Sequence, residues 1–220
     1  MLKNNIELNN MNIIIDGNIG CGKSTILENL KKSIEVLNQN SDKSFDIKDE
    51  NLTDWKPYLL QFYKDMNKYS LSFQMKVLKH HMLNNLNKTA DISILERSPL
   101  SCLHVFGQNL YETNMISELD MQLMVDYNTY FGWYPKHIIY IKTDPEICKS
   151  RINKRNRDGE DSIPIEYLSS IDSLYNKLYT DNEYLQKIKG LTDVKVYVID
   201  GNRDKESVYK DVIEIILSFI

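Results

Sequence analysis

Five short stretches carry apolar positions with little alternation: residues 12–16, 45–48, 92–95, 137–142 and 194–199. Continuous apolar runs of this length predict strands covered on both faces. Between them the apolar spacing becomes helical, over 23–37, several segments from 56 to 132, 145–156, 164–189 and 205–220. Strands alternating with helices predict a mainly parallel sheet with right-handed crossovers. Residues 38–44 read as a polar surface loop too short to divide domains, so one domain over 1–220 is expected. The long insert before the third strand is crowded with Trp55, Tyr58, Phe62, Tyr63, Met66, Tyr69, Phe73, Met75 and Met82. Core packing accounts for most of these. One or two can instead line a pocket for a flat ligand, and periodicity does not say which.

Composition narrows the class. The 220 residues are 42% apolar and 26% charged, which excludes a disordered or fibrous chain. No apolar run approaches the roughly 18 residues that span a bilayer, so no membrane partner is expected. A net charge of −4 gives no support for nucleic-acid binding. Cys21, Cys102 and Cys148 are too scattered for a disulfide framework or a metal site. Residues 1–12 lack the features of a signal or transit peptide. The expectation is a cytoplasmic or other reducing compartment. Arginine is scarce: Arg97, Arg151, Arg155, Arg157 and Arg203 are the only five among 27 basic residues. That directs attention to places where a planar, permanently charged fork is needed.

The first predicted strand runs into Gly17-Asn18-Ile19-Gly20-Cys21-Gly22-Lys23-Ser24-Thr25, which satisfies G-x-x-x-x-G-K-[ST] between a strand and a helix. Glycines let backbone N–H groups curl around phosphate, and the following helix turns its positive end to the anion. Lys23 suits the β- and γ-phosphates of ATP, and the Ser24 hydroxyl suits Mg²⁺. Among phosphate-loop proteins, a GTPase needs a guanine-reading Asn-Lys-x-Asp. Asn87-Lys88-Thr89-Ala90 does not qualify, because Ala accepts no hydrogen bond. Motor and transporter ATPases end an apolar strand in Asp or Asp-Glu. Here the strand ends in Glu96-Arg97-Ser98, which looks more like a small-molecule kinase.

Two further features point the same way. Glu50 follows the second strand, near the crevice at the carboxyl ends of the strands, where it is either a general base for a hydroxyl acceptor or a solvated loop acid. Arg151, Arg155 and Arg157 lie at a helix end before an acidic turn. They suit a lid at about 151–163 that neutralises a transferring phosphoryl group, or a plain exposed helix end.

Taken together, these motifs resemble the deoxyribonucleoside kinases, in the branch of insect multisubstrate deoxynucleoside kinase, mitochondrial thymidine kinase and deoxycytidine kinase. The resemblance runs from about residue 12 to 184. It rests on the phosphate loop with Asp16, Glu50 with Trp55, Tyr63-Lys64-Asp65, Ser72-Phe73-Gln74, Glu96-Arg97-Ser98, and Arg155-Asn156-Arg157 with Glu160 and Pro164. It implies a doubly wound α/β phosphate-loop fold with a five-stranded parallel sheet. It also implies ATP-dependent phosphorylation of a deoxyribonucleoside 5′-hydroxyl, a pyrimidine favoured, and a homodimer; a thymidylate kinase-like nucleoside monophosphate kinase and a catalytically inactive nucleotide-binding module are the alternatives.

By position, Glu50 resembles the base and Arg97 its phosphate-contacting assistant, while Glu96 joins Ser24 at Mg²⁺. Tyr63 and Glu160 resemble the holders of the sugar 3′-hydroxyl. Gln74 resembles the reader of the base edge, and Trp55 and Phe106 the aromatics flanking the base. Arg151, Arg155 and Arg157 match lid arginines. Asn51 stands where the family has Pro, which implies a looser loop behind Glu50, Pro99 follows the Glu-Arg-Ser motif, and Gly159 implies a looser lid. Val77, His81 and Cys102 occupy positions that control base choice. Val77 and Cys102 lean toward pyrimidines, while His81 either contacts the base or packs at the pocket edge.

Overall fold

Five strands, β1 (Met11–Asp16), β2 (Phe45–Lys48), β3 (Ile92–Glu96), β4 (His137–Lys142) and β5 (Lys195–Asp200), form one all-parallel sheet in the order β2-β3-β1-β4-β5. The computed structural model describes residues 11–50, 52–86, 90–157, 159–160, 163–188, 191 and 193–219. Asn51 and parts of the expected lid and of the 87–90 segment therefore lie outside the described residues. So do residues 1–10, Lys189 and Ile220.

The side chains of the central strands alternate between two cores. Ile13 and Ile15 pack with Leu27 and Leu30 of α1 (Lys23–Gln39) and with Val212 and Ile216 of α10 (Lys205–Leu217). Ile14 faces the other way, onto Tyr175 and Leu178 of α8 (Ile165–Thr180). Helices on both faces make the sheet doubly wound, as expected. Coverage on both faces holds only for the middle of the sheet. The edge strands β2 and β5 are half-open, with Val198 50% exposed, because an edge strand has helices to cover only part of its surface.

The expected helix over 164–189 is two helices. After α8, Asp181 leaves the helical region, and its carboxylate accepts the Tyr184 N–H at 3.0 Å, capping α9 (Asn182–Lys187). The cap satisfies a backbone donor that an unbroken helix would have used. The helix α7 (Pro145–Arg155) stops one residue short of 156, where Asn156 turns left-handed at φ 50°. Between β2 and β4 lie α2 (Leu52–Lys64), α3 (Met66–Leu86), α4 (Pro99–Ser101), a π-helical stretch Cys102–Gly107, α5 (Gln108–Glu112) and α6 (Glu118–Phe131). Pro99 opens α4 at its first position, where a missing N–H costs nothing. A third core joins Trp55, Phe62, Leu78, Cys102 and Met124 beyond the sheet, so most of the aromatic insert does pack.

Burial lowers the imidazole of His104 to about 4 and that of His81 to about 3. The folded chain holds both rings neutral, whereas in the unfolded chain they titrate near about 6.5. Stability from the neutral rings is complete above that value and declines as pH falls through it toward 4. Thermal melts at pH 7 and pH 5 are expected to show a lower Tm at pH 5. His104→Gln should lessen the drop, and an unchanged slope would contradict the assignment.

Candidate active site

β1 ends at the buried Asp16, and the chain turns at once into the phosphate loop. Glycine is required in that turn. Gly17 (φ 146°) and Gly20 (φ 83°) would each place a Cβ 2.6 Å from a carbonyl oxygen, of Ile141 and Cys148 respectively. Lys23 Nζ donates to the carbonyls of Gly17 and Asn18 at 2.9 and 2.8 Å, which curls the loop over it. Asn18 pins the loop to α8 through Leu168 O at 2.9 Å, and its Oδ1 accepts the Ile19 N–H. Cys21 is buried and Thr25 exposed. Gly22 precedes Lys23, the first residue of α1. The glycine cradle, the helix start and Lys23 fit the phosphates of a nucleoside triphosphate. Ser24 Oγ lies 3.5 Å from Glu96 Oε1. One hydroxyl and one carboxylate form the sparse oxygen set that Mg²⁺ accepts when phosphate and water supply the rest. Burial, then the charge of Glu50, raises the Glu96 carboxyl to about 7.

Arg97 follows β3 with a left-handed backbone, φ 59°, which costs a non-glycine residue. Its guanidinium donates from Nη1 to Glu50 Oε1 at 2.5 Å, from Nη2 to Gly17 O at 3.4 Å and from Nε to the Tyr175 hydroxyl at 3.2 Å. Its Cζ stands 5.0 Å over the Phe106 ring. Burial works against charge on Glu50, but Arg97 and Lys23 outweigh it and hold its carboxyl below the usual glutamate value. Glu50 is thus an ionised carboxylate inside the site. Its side chain is 10% exposed and paired with Arg97.

A cavity of about 550 Å³ runs from the phosphate loop past Glu50 to Trp55, Tyr63, Gln74, Val77, His81, Cys102 and Phe106. Gln74 is 3% exposed, with the Cys102 thiol 3.5 Å from its Oε1. Burial pushes that thiol up to about 12, so it stays uncharged. His81 is 1% exposed and its Nε2 has no hydrogen-bond partner among the described residues. Trp55 meets its ring edge-on at 6.0 Å. The cavity also reaches Gly201, Arg203 and Tyr209.

The three arginines expected to form a lid do not act alike. Arg155 and Arg157 pair with Glu160, Arg155 Nη2 at 2.5 Å and Arg157 Nη1 at 3.3 Å. Arg151 instead donates to the carbonyls of Cys21 (3.2 Å) and Gly201 (2.9 Å), bracing the phosphate loop against the loop after β5. Gly159 does not simply loosen the turn. At φ 84°, a Cβ there would lie 2.9 Å from Tyr63 Cδ2, so glycine permits a close approach to that ring. Gly159→Ala is expected to cost about 1–2 kcal/mol in backbone strain and to displace Tyr63. Equal thermal melts for the variant and the parent would contradict this.

Sequence reasoning missed Tyr175 and Tyr179, whose hydroxyls converge on Asp16 at 2.8 and 2.7 Å. Their i, i+4 spacing puts them on one face of α8, but it does not reveal the buried carboxylate opposite. Phe73 and Tyr167, also lining the cavity, had been indistinguishable from packing residues.

Comparison with known proteins agrees with this geometry. The sequence model of the family "Deoxynucleoside kinase" matches residues 13–220. Putative kinase protein 029R of Invertebrate iridescent virus 3 is 30% identical over 207 residues, covering 93% of this chain and 95% of that protein. Human deoxycytidine kinase is 29% identical over 240 residues, covering 94% of this chain and 90% of its own. The structure of deoxyadenosine kinase from M. mycoides with bound dCTP superposes with a TM-score of 0.76 at 25% identity, over 94% of this chain and 100% of that one. The chain therefore belongs to the deoxynucleoside kinase family and is an enzyme of that family.

Proposed function

We propose that this kinase transfers the γ-phosphoryl group of ATP to the 5′-hydroxyl of a pyrimidine deoxynucleoside, thymidine or deoxycytidine. The observation that carries the reading is the inner end of the cavity, where the buried Gln74 amide is enclosed by Val77, His81 and Cys102, all uncharged. An amide offers one donor and one acceptor, which match N3–H and O4 of thymine or, once flipped, N3 and the amino group of cytosine. The orphaned Nε2 of His81 gives the base edge a third polar contact. A monophosphate acceptor would need a cation at this end. Arg97 lines the cavity, but its Nη1 is committed to Glu50.

In this reading Glu50 takes the proton of the 5′-hydroxyl as the new O–P bond forms and the bond to the β-phosphate oxygen breaks. Lys23 and the loop N–H groups hold the donor phosphates. Arg97 keeps Glu50 ionised and oriented, and Arg155 and Arg157 neutralise the transferring group once Glu160 turns, with Tyr63, to the 3′-hydroxyl. Ser24 and Glu96 would hold Mg²⁺, which would supply further charge neutralisation. A homodimer is proposed through the outer face of α6, where Leu119, Leu123, Tyr127, Tyr130 and Phe131 form one exposed stripe. A purely monomeric sedimentation boundary would overturn the dimer.

The substrate reading is tested by kcat/KM for the four natural deoxynucleosides. Both pyrimidines are expected to exceed both purines by about tenfold or more, the worth of one well-made polar contact. A purine with the highest value would overturn it.

A further inference from the structure

Asp16 is fully buried beneath the phosphate loop. Its Oδ1 accepts the Gly17 N–H and the Tyr175 hydroxyl, both at 2.8 Å, and its Oδ2 accepts the Tyr179 hydroxyl at 2.7 Å. Arg97 Nε stands 3.8 Å from Asp16 Oδ1, too far for a hydrogen bond. It meets the Tyr175 hydroxyl instead, at 3.2 Å. The directions are fixed by chemistry. A guanidinium only donates and a carboxylate only accepts, so the hydroxyl must accept from Arg97 and give its one hydrogen to Asp16. Burial, and then the charge of Asp16, lift the Tyr175 phenol well above its usual value, so that hydrogen is kept.

The Tyr175 ring is itself held, stacked on Tyr140 at 5.8 Å and edge-on to Phe106 at 6.1 Å. The guanidinium is therefore met at Nε by a hydroxyl whose ring is packed on two sides, while its Nη1 meets Glu50. Tyr179 shares the carboxylate but has no contact with Arg97 among the described hydrogen bonds.

We propose that Tyr175 is a positioning residue for phosphoryl transfer: its hydroxyl, aligned by Asp16, fixes the Arg97 fork so that Nη1 orients Glu50 toward the acceptor hydroxyl. The proposal rests on the reading of Glu50 as the base given above. Tyr175 touches no substrate in this scheme. Its effect on the reaction passes entirely through Arg97.

The test compares Tyr175→Phe with Tyr179→Phe in the full chain, measuring kcat, both KM values and thermal melts. Each variant removes one hydrogen bond from Asp16, and only the first also removes the contact with Arg97 Nε. Tyr175→Phe is expected to lower kcat about tenfold, the scale of a small misplacement near the chemistry, with both KM values within about twofold. Tyr179→Phe should keep kcat near that of the parent. Because Tyr175 acts only through the Arg97 fork, adding Tyr175→Phe to Arg97→Lys should cost nothing further. That comparison still decides the matter if Tyr175→Phe is less stable, provided it is run at a temperature where every variant is folded.

Equal kcat losses in the two Phe variants, or additive losses in the double variant, would overturn the proposal. Parental kcat in Tyr175→Phe would overturn it too, if Glu50→Gln is crippled. If Glu50→Gln also retains parental kcat, the reading of Glu50 itself has failed, and the positioning role falls with it.

Discussion

Glu50→Gln is expected to lower kcat by about 10²-fold or more, the scale of a lost general base, with little change in ATP binding. The amide keeps the size of the carboxylate and still offers Arg97 Nη1 an oxygen at the 2.5 Å contact, so the site is not emptied. What disappears is the basic lone pair that Arg97 and Lys23 keep unprotonated. Steady-state kinetics with a deoxynucleoside in excess read the loss directly. Near-parental turnover would sink the assignment of Glu50 as base.

Arg97→Lys should be nearly as severe, with a kcat loss of about 10²- to 10³-fold, comparable to removing a preorganised charge-stabilising donor. An ammonium keeps the charge but loses the fork. It cannot bridge Glu50, Gly17 O and the Tyr175 hydroxyl together, and it gives up the flat contact with Phe106. The left-handed backbone at this position remains unfavourable for Lys, so the side-chain anchors that offset it are missing. A variant with full activity would mean that position 97 needs only a positive charge.

The motifs legible in the sequence are those whose chemistry is local. The phosphate loop could be read because its glycines, Lys23 and Ser24 act within nine consecutive residues between a strand and a helix. Glu50 could be read only as one of two things, a base or a loop acid. What favours the base reading is Arg97, distant in sequence but brought to 2.5 Å by the parallel pairing of β2 with β3.

The scarcity of arginine proved a partial filter. Arg97 holds the proposed base, and Arg155 and Arg157 hold Glu160, but Arg151 braces backbone carbonyls. Arg203 pairs with Asp211 and donates to Asp200 O at 3.1 Å, tying down the loop after β5. Both use the planar fork on backbone carbonyls, and both also line the cavity. The break at Asp181 and the role of Tyr175 were hidden for a common reason. A polar side chain declares its partner only when the tertiary fold delivers one, and helical periodicity is the same with or without it.

The most direct measurement of the central claim offers MgATP with thymidine, deoxycytidine or thymidylate in parallel and identifies the phosphorylated product. A cavity whose inner end presents a neutral Gln74, His81 and Cys102, with an ionised Glu50 as the proposed base, predicts 5′-monophosphate from at least one nucleoside and no diphosphate from thymidylate. Turnover of thymidylate with both nucleosides inert would contradict it.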